Sequence, residues 1–503
     1  MKASEPAVLG IDRETFFREY VEAIDGGHAA VFAGAGLSRP AGFVDWRGLL
    51  RDLAKELGLD IDLEQDLVAV AQYHLNANAR SRHRLNKLLV DEFSERAAPT
   101  PAHATLARLP LRTYWTSNYD DLIEDALKAE GRQFDKRATI TSLPVTRPRS
   151  SAAVYKMHGD TNEPARMVIT RDDYEEYANN SGPFLDVLQS HLITKTFLFL
   201  GLSFTDPNLE LVLGQVRAAF KQGPRTHFAI MRREPRSKRA STASTYAARK
   251  QQYQIEDLRR YGIETVLVDE FAEIPGLLSE IEKRYYRKNI AVSGAFADAG
   301  PMGAAALDEL CRTLGKRIIS EGFNLVNGFG LGVGSSTIAG AVEHLYRGEH
   351  EDFDRRLRLR PFPQDTHTGA AKAEFNRRWR EELIRGAGFL VIVSGNKEEA
   401  GAIILSDGVW EEYRIAQAFG LHPIPVGVSG HAAAEIWNDV DARFDAIYPE
   451  KSSRKSVRGA LDVLNQPGTK PTDLVEAVFV IVHALAPRRV ARRPPAASSS
   501  RGS

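Results

Sequence analysis

Twice in this chain a short apolar run of strand character feeds a glycine-rich turn that leads toward a helical pattern. The first is AAVFAGAGLS (Ala29 to Ser38); the second is NIAVSGAF (Asn289 to Phe296), later joined by FNLVNGFGLGVGSS (Phe323 to Ser336). An apolar strand of this kind must be covered on both faces, and a following helix supplies the crossover that parallel pairing needs. Further buried-strand candidates in the first half are RTYWTSN (Arg112 to Asn118), AVYKMHG (Ala153 to Gly159), TFLFLGL (Thr196 to Leu202), THFAIM (Thr226 to Met231) and ETVLVD (Glu264 to Asp269). The second half adds GAGFLVIVSGN (Gly386 to Asn396) and HPIPVGV (His422 to Val428). Helical patterns lie between them: Trp46 to Gly58, Leu307 to Gly322, Ser336 to Gly348, Gly408 to Gly420, and Asp120 to Gly131, where Leu122, Ile123, Ala126 and Leu127 share one face. The predicted fold class is therefore α/β with mostly parallel sheets.

A chain of 503 residues can build two or three domains. The helical stretch from Glu273 to Lys288 closes the first, which predicts domains over 1–287 and 288–486. The Arg-, Pro- and Ser-rich tail over 487–503 is expected to be disordered. The polar, basic stretch from Arg233 to Gln252 reads as a surface loop leading into a helix. Lys plus Arg and Asp plus Glu number 66 each, so nothing pulls the chain generally toward nucleic acid or an acidic membrane. The lone cysteine, Cys311, excludes an internal disulfide or a four-cysteine zinc site, and no metal is expected. The N-terminus lacks a signal-peptide core, and runs such as FLFLGL (Phe197 to Leu202) fall far short of the about 20 residues a bilayer requires. The expected location is the cytoplasm.

Glycines in GAGLS would let the backbone approach a pyrophosphate, with free amides to bind anions. The usual G-x-G-x-x-G is not matched, because Arg39 takes the third glycine's place, and alone the segment is equally a tight turn. TSNYDD (Thr116 to Asp121), KMHGD (Lys156 to Asp160) and GLSFTDPN (Gly201 to Asn208) each follow a predicted strand. Polar residues at the carboxyl ends of several parallel strands converge on one crevice. Taken singly, Asn118 also fits a helix N-cap, a histidine before glycine such as His158 is more often a satisfied turn histidine, and either Asp120 or Asp121 could simply complement a helix N-terminus.

In this order, GAGLS, TSNYD, HGD and the G-x-S-F-x-D-P-N segment resemble the sirtuin superfamily over roughly Gly10 to Tyr286, and its bacterial anti-phage branch more than its protein deacylases. The resemblance implies that Gly34, Ala35, Gly36 and Ser38 line the phosphates and ribose of NAD. It implies that Asn118 and Asp120 hold the nicotinamide ribose and the attacking water, that His158 is the base, and that Ser203 and Asp206 lie near the adenosine half. Deacylating sirtuins carry a zinc ribbon held by four cysteines, absent from this half, which leaves water as the acceptor and hydrolysis as the expected reaction.

In the second half, Gly328, Gly330, Gly332 and Gly334 alternate ahead of a helix, as a phosphate-cradling loop would. Arg380 on a helix, Lys397 after VIVSGN and Glu412 on the helix beginning at Gly408 offer cations for phosphate and a carboxylate for a ribose hydroxyl pair; individually each is an ordinary helix-surface charge. The pattern resembles the SLOG family of Rossmann-type nucleotide binders over about Asn289 to Ala486, and implies Ser293, Gly294, Arg380, Lys397 and Glu412 as ligand residues. A sirtuin-like domain followed by SLOG is the layout of NAD-cleaving effectors of the Thoeris anti-phage system. That layout implies two Rossmann-like domains with NAD as substrate. It also implies a cyclic ADP-ribose isomer, made by a partner TIR-domain enzyme, as activating ligand, and a homo-oligomer, tetramer or higher. Two other readings stay open: an NAD-dependent deacylase or ADP-ribosyltransferase, and a non-catalytic nucleotide sensor.

Overall fold

The computed structural model describes residues 10–94, 97–221, 225–234, 242–347, 353–362, 369–449 and 452–486. The chain divides into two compact units, Met1–Glu282 and Lys283–Ser503. The first unit is built on β1 (Ala29–Ala33), β2 (Thr113–Thr116), β3 (Phe134–Arg137), β4 (Ala152–Lys156), β5 (Thr196–Leu200), β6 (His227–Arg232) and β7 (Ile263–Val268). They form one seven-stranded sheet in the order β3-β4-β2-β1-β5-β6-β7, with every pairing parallel. From β1 the chain works outward through β2 to β4 with β3 at the edge, then returns to the far side of β1 for β5, β6 and β7. The reversal falls between β1 and β5. Crossovers leave in opposite directions there, and in parallel sheets ligands bind at the carboxyl ends of the strands around such a reversal.

Residues throughout β1, β2 and β5 are buried, as their apolar runs require. Trp115 of β2 stacks on Tyr155 of β4, with ring centroids 4.5 Å apart and planes within 9°. The helix Leu122–Ala129 buries the Leu122, Ile123, Ala126 and Leu127 face and ends at Glu130, before Gly131 in the left-handed region.

The second unit holds β8 (Asn289–Ala295), β9 (Asn324–Asn327), β10 (Leu357–Leu359), β11 (Phe389–Ser394) and β14 (His422–Val426) in a parallel five-stranded sheet ordered β10-β9-β8-β11-β14. A separate antiparallel hairpin, β12 (Asn396–Glu399) and β13 (Ala402–Leu405), follows β11.

The apolar pattern does not reveal β3, β10 or this hairpin. All three are short and mostly half-buried or exposed; β3, β10 and β12 are interrupted by charged residues, and the apolar run of β13 is only four residues long, too short to tell a strand from a helix segment. The helical pattern from Trp46 to Gly58 resolves into two short helices, Trp46–Leu49 and Arg51–Glu56. The basic stretch leads into the helix Thr242–Arg259, and its residues 235–241, like the tail over 487–503, lie outside the described residues. Among the described residues no helix is long and apolar enough to cross a membrane.

Candidate active site

The GAGLS turn joins the end of β1 to the end of β5 with almost no space between them. Gly34 N donates to Leu200 O at 2.8 Å and Gly36 N to Gly201 O at 3.0 Å. A Cβ on Gly34 would lie 2.6 Å from Gly201 O, and one on Gly36 2.8 Å from Gly201 Cα. Both glycines are thus explained by backbone approach, and their amides already have partners. The turn coils into the four-residue helix Ala35–Ser38, which places Ser38, 2% exposed, at the mouth of the reversal.

Asn118, two residues past β2, reaches toward that turn. Its Nδ2 donates to Gly34 O at 3.1 Å and to Ser38 Oγ at 2.9 Å. A backbone carbonyl can only accept, so the orientation of the amide is fixed, and Oδ1 remains as its acceptor. With Ser38 Oγ accepting from Asn118, the Ser38 hydrogen is free to point at Asp120. Burial pushes the Asp120 carboxyl up, while hydrogen bonds from Ser38 and the Leu122 amide pull the other way. Ala35, Ser38, Asn118 and Asp120 line one cleft together with Trp46 and Phe93.

Asp120 and Asp121 have separate tasks. Asp121 Oδ1 lies 2.7 Å from Lys156 Nζ and 2.8 Å from Lys136 Nζ. Lys156, the last residue of β4 and fully buried, also donates to Tyr119 O at 2.9 Å and Asp120 O at 2.7 Å. One ammonium therefore ties the Asn118 loop to the end of β4. Its other neighbours are Asp160 at 3.0 Å and Glu124 at 3.6 Å. Against the effect of burial, the Lys156 and Lys136 ammonium groups hold the Asp160 carboxyl down to about 2. Asp121, Glu124 and Asp160 bring carboxylate oxygens within 4.8 Å of one another, but Lys156 supplies the positive charge such a group demands. Sequence reasoning passed over Lys156. The available signal was a lysine ending an apolar strand with an acid, Asp160, four residues on; its other acidic partners, Asp121 and Glu124, lie more than 30 residues upstream.

His158 lies two residues past β4 and is 1% exposed. Thr116 of β2 and Lys156 of β4 are paired in register, and Met157 N donates to Thr116 O at 2.9 Å. Asn118 and His158 therefore leave neighbouring strand ends, about 4.8 Å apart in the sheet. Asn118 reaches to the turn after β1, whereas the His158 ring meets the loop after β5, where Nε2 stands 2.9 Å from Asp206 Oδ2. That oxygen is off the N–H axis, so the contact is not a formed hydrogen bond. Tyr174 meets the imidazole edge-on, with centroids 5.6 Å apart. Burial would raise the Asp206 carboxyl; His158, the Leu209 amide and the Tyr174 hydroxyl outweigh it and hold it low. Ser203 is exposed, with its Oγ 2.7 Å from Thr205 Oγ1.

In the second unit, Ser293 and Gly294 sit at the end of β8. A Cβ on Gly294 would lie 2.1 Å from Val393 O, and one on Gly330 2.0 Å from Gly294 O, so these glycines pack strand ends against the loop after β9. Arg380 Nε lies 3.8 Å from Glu412 Oε1 and its guanidinium also pairs with Glu411. Burial pushes the Glu412 carboxyl up, against Ser293 and Arg380. Ser293, Arg380 and Glu412 thus form one group. Lys397 has other partners, Glu399 at 2.8 Å and Asp407 at 3.1 Å, although Asp407 begins the helix that carries Glu412.

A parallel sheet whose reversal gathers an amide and a carboxylate, with an imidazole past the neighbouring strand end, followed by a second parallel sheet with glycine-packed strand ends, defines a SIR2-like domain joined to a SLOG-type domain. The SIR2-like domain family matches residues 112–258, and the Sir2- and TIR-associating SLOG family matches residues 273–485. The NAD(+) hydrolase ThsA of Acinetobacter baumannii (strain 532279) is 41% identical over 469 residues, covering 92% of this chain and 97% of that protein. The NAD(+) hydrolase ThsA of Bacillus cereus (strain MSX-D12) is 37% identical over 473 residues, covering 94% and 98%. Defense-associated sirtuin 2 of Bacillus subtilis is 24% identical over 220 residues, covering 42% of this chain and 22% of that protein. The chain belongs to the ThsA NAD(+) hydrolase family and is an NAD(+) hydrolase.

Proposed function

We propose that this hydrolase is a signal-gated effector of bacterial anti-phage defence. The first unit cleaves NAD to nicotinamide and ADP-ribose, and the second binds a cyclic ADP-ribose-type signal made by a partner TIR-domain enzyme. The observation that carries the catalytic part is the linked set Gly34–Asn118–Ser38 beside Asp120, with His158 leaving the next strand end. In the reaction the bond from ribose C1′ to the pyridinium nitrogen breaks, and its electron pair neutralises the ring as nicotinamide leaves. A water oxygen bonds to C1′, and its proton passes to His158. The leaving group is already good, so the work of the side chains is orientation and proton acceptance. Asn118 Oδ1 is the acceptor that holds water or a ribose hydroxyl, and Asp120 steadies the same group through Ser38.

The Ser293, Arg380 and Glu412 group at glycine-packed strand ends supports the sensor half of the reading. A signal acts only through unequal affinity for resting and active states, and a homo-oligomer provides two such arrangements. The test is nicotinamide release from NAD by the full chain, with and without a panel of cyclic ADP-ribose isomers. Release that rises with one isomer is expected; release that needs an acyl-lysine peptide, or ignores every isomer, overturns the reading.

A further inference from the structure

We infer that Asp206 is a positioning residue for His158 in NAD hydrolysis, not a contact for the adenosine half of the dinucleotide. The inference rests on the reading of His158 as the base. The two carboxylate oxygens of Asp206 face different partners. Oδ1 accepts from Asn208 N and Leu209 N, both at 3.0 Å, and so caps the helix Pro207–Phe220. Oδ2 accepts from the Tyr174 hydroxyl at 3.3 Å and stands 2.9 Å from His158 Nε2. The cap holds the carboxylate rigidly, and the only oxygen left over points at the imidazole. The partners of Asp206 are thus two helix amides, the Tyr174 hydroxyl and the imidazole, all from the protein itself.

The location strengthens the argument. In the sheet, β4 and β5 are separated by β2 and β1, a lateral span of about 14 Å at the usual strand spacing. For a histidine two residues past β4 to meet a carboxylate six residues past β5, the two loops between them must bridge the carboxyl ends of β2 and β1. Those are the ends that carry Asn118 and the GAGLS turn. The Asp206 contact therefore sets where the imidazole sits over the crevice. A carboxylate on one ring nitrogen fixes the tautomer that leaves the other nitrogen as acceptor, and stabilises the imidazolium once the proton arrives. The present misalignment from the N–H axis is usual before substrate binds, and closure onto NAD would tighten it.

The decisive variant is Asp206→Asn, because asparagine caps a helix as well as aspartate does. A purely structural Asp206 would therefore tolerate it. Nicotinamide release by the full chain, with the same panel of cyclic ADP-ribose isomers, should show kcat lowered about 10- to 100-fold, with KM for NAD and the unfolding temperature little changed. Asp206→Ser, another capping residue without the charge, should repeat the loss. Asp206→Ala should add a fall in unfolding temperature. Unchanged kcat in the asparagine variant, or a raised KM at unchanged kcat, overturns the inference while leaving His158 as the base. Full activity in His158→Ala overturns both, since there would be no catalytic imidazole to position.

Discussion

Asn118 shows how much chemistry one orientation decides. Both amide hydrogens are committed, to Gly34 O and Ser38 Oγ, so the side chain presents an acceptor and cannot turn. Asn118→Asp keeps the size but replaces two donations with repulsion from Gly34 O and from Asp120. Its rate of nicotinamide release should fall about 100-fold or more, as for loss of an oriented polar group; a rate within threefold of the unmodified chain would remove Asn118 from the mechanism. The residue types past these strand ends were readable in order along the chain. Which of Asp120 and Asp121 enters the cleft was not, because adjacent residues on a loop are told apart only by what surrounds them. Here the surroundings are Ser38 for one and two lysines for the other.

At the scale of elements, the join between β1 and β5 is the tightest packing near the site. Gly201 has φ +66°, and a Cβ there would meet Leu37 N at 2.4 Å. Gly201→Ala should destabilise the first unit by more than about 1 kcal/mol and lower activity by displacing Ser38; thermal unfolding and nicotinamide release check both. The joint between the helix Leu122–Ala129 and β4 is ionic. Burial pushes the Glu124 carboxyl up to about 7 from an ordinary value of 4.5. The folded chain thus holds this proton more tightly than the unfolded chain, and stability falls as pH rises from about 4.5 through 7. Glu124→Gln should therefore lose less unfolding temperature than the unmodified chain on going from pH of about 5 to about 8. An equal or greater loss would show that Glu124 is ionised in the folded protein. Strands buried on both faces announced themselves as continuous apolar runs, whereas β3, β10 and β12, which are short and carry charged residues, did not. Edge position alone is not the cause, since the opposite edges β7 and β14 are buried and apolar; what hides a strand is the half-exposure of its residues, which admits charge.

For the whole molecule, two separate sites predict two separable defects. His158→Ala should abolish nicotinamide release and leave binding of a cyclic ADP-ribose isomer intact, as measured by calorimetry on the full chain. Glu412→Ala should weaken isomer binding about tenfold or more, for loss of a buried charge paired with Arg380, while the Asn118 and His158 arrangement is preserved. Equal loss of both functions in either variant would break the two-site reading. The amino-acid order alone determined the α/β class, the pairing of a sirtuin-like half with a SLOG-like half, and most of the polar residues at the strand ends, because burial periodicity and glycine placement are local and leave their mark in every short window. Only the tertiary structure decided that Gly34 and Gly36 serve a backbone contact, that Lys156 holds the Asn118 loop, that Lys397 pairs away from Glu412, and that Asp206 turns to His158. Each of these depends on which strand ends become neighbours, and strand order is set by long-range crossovers that no short window of sequence records.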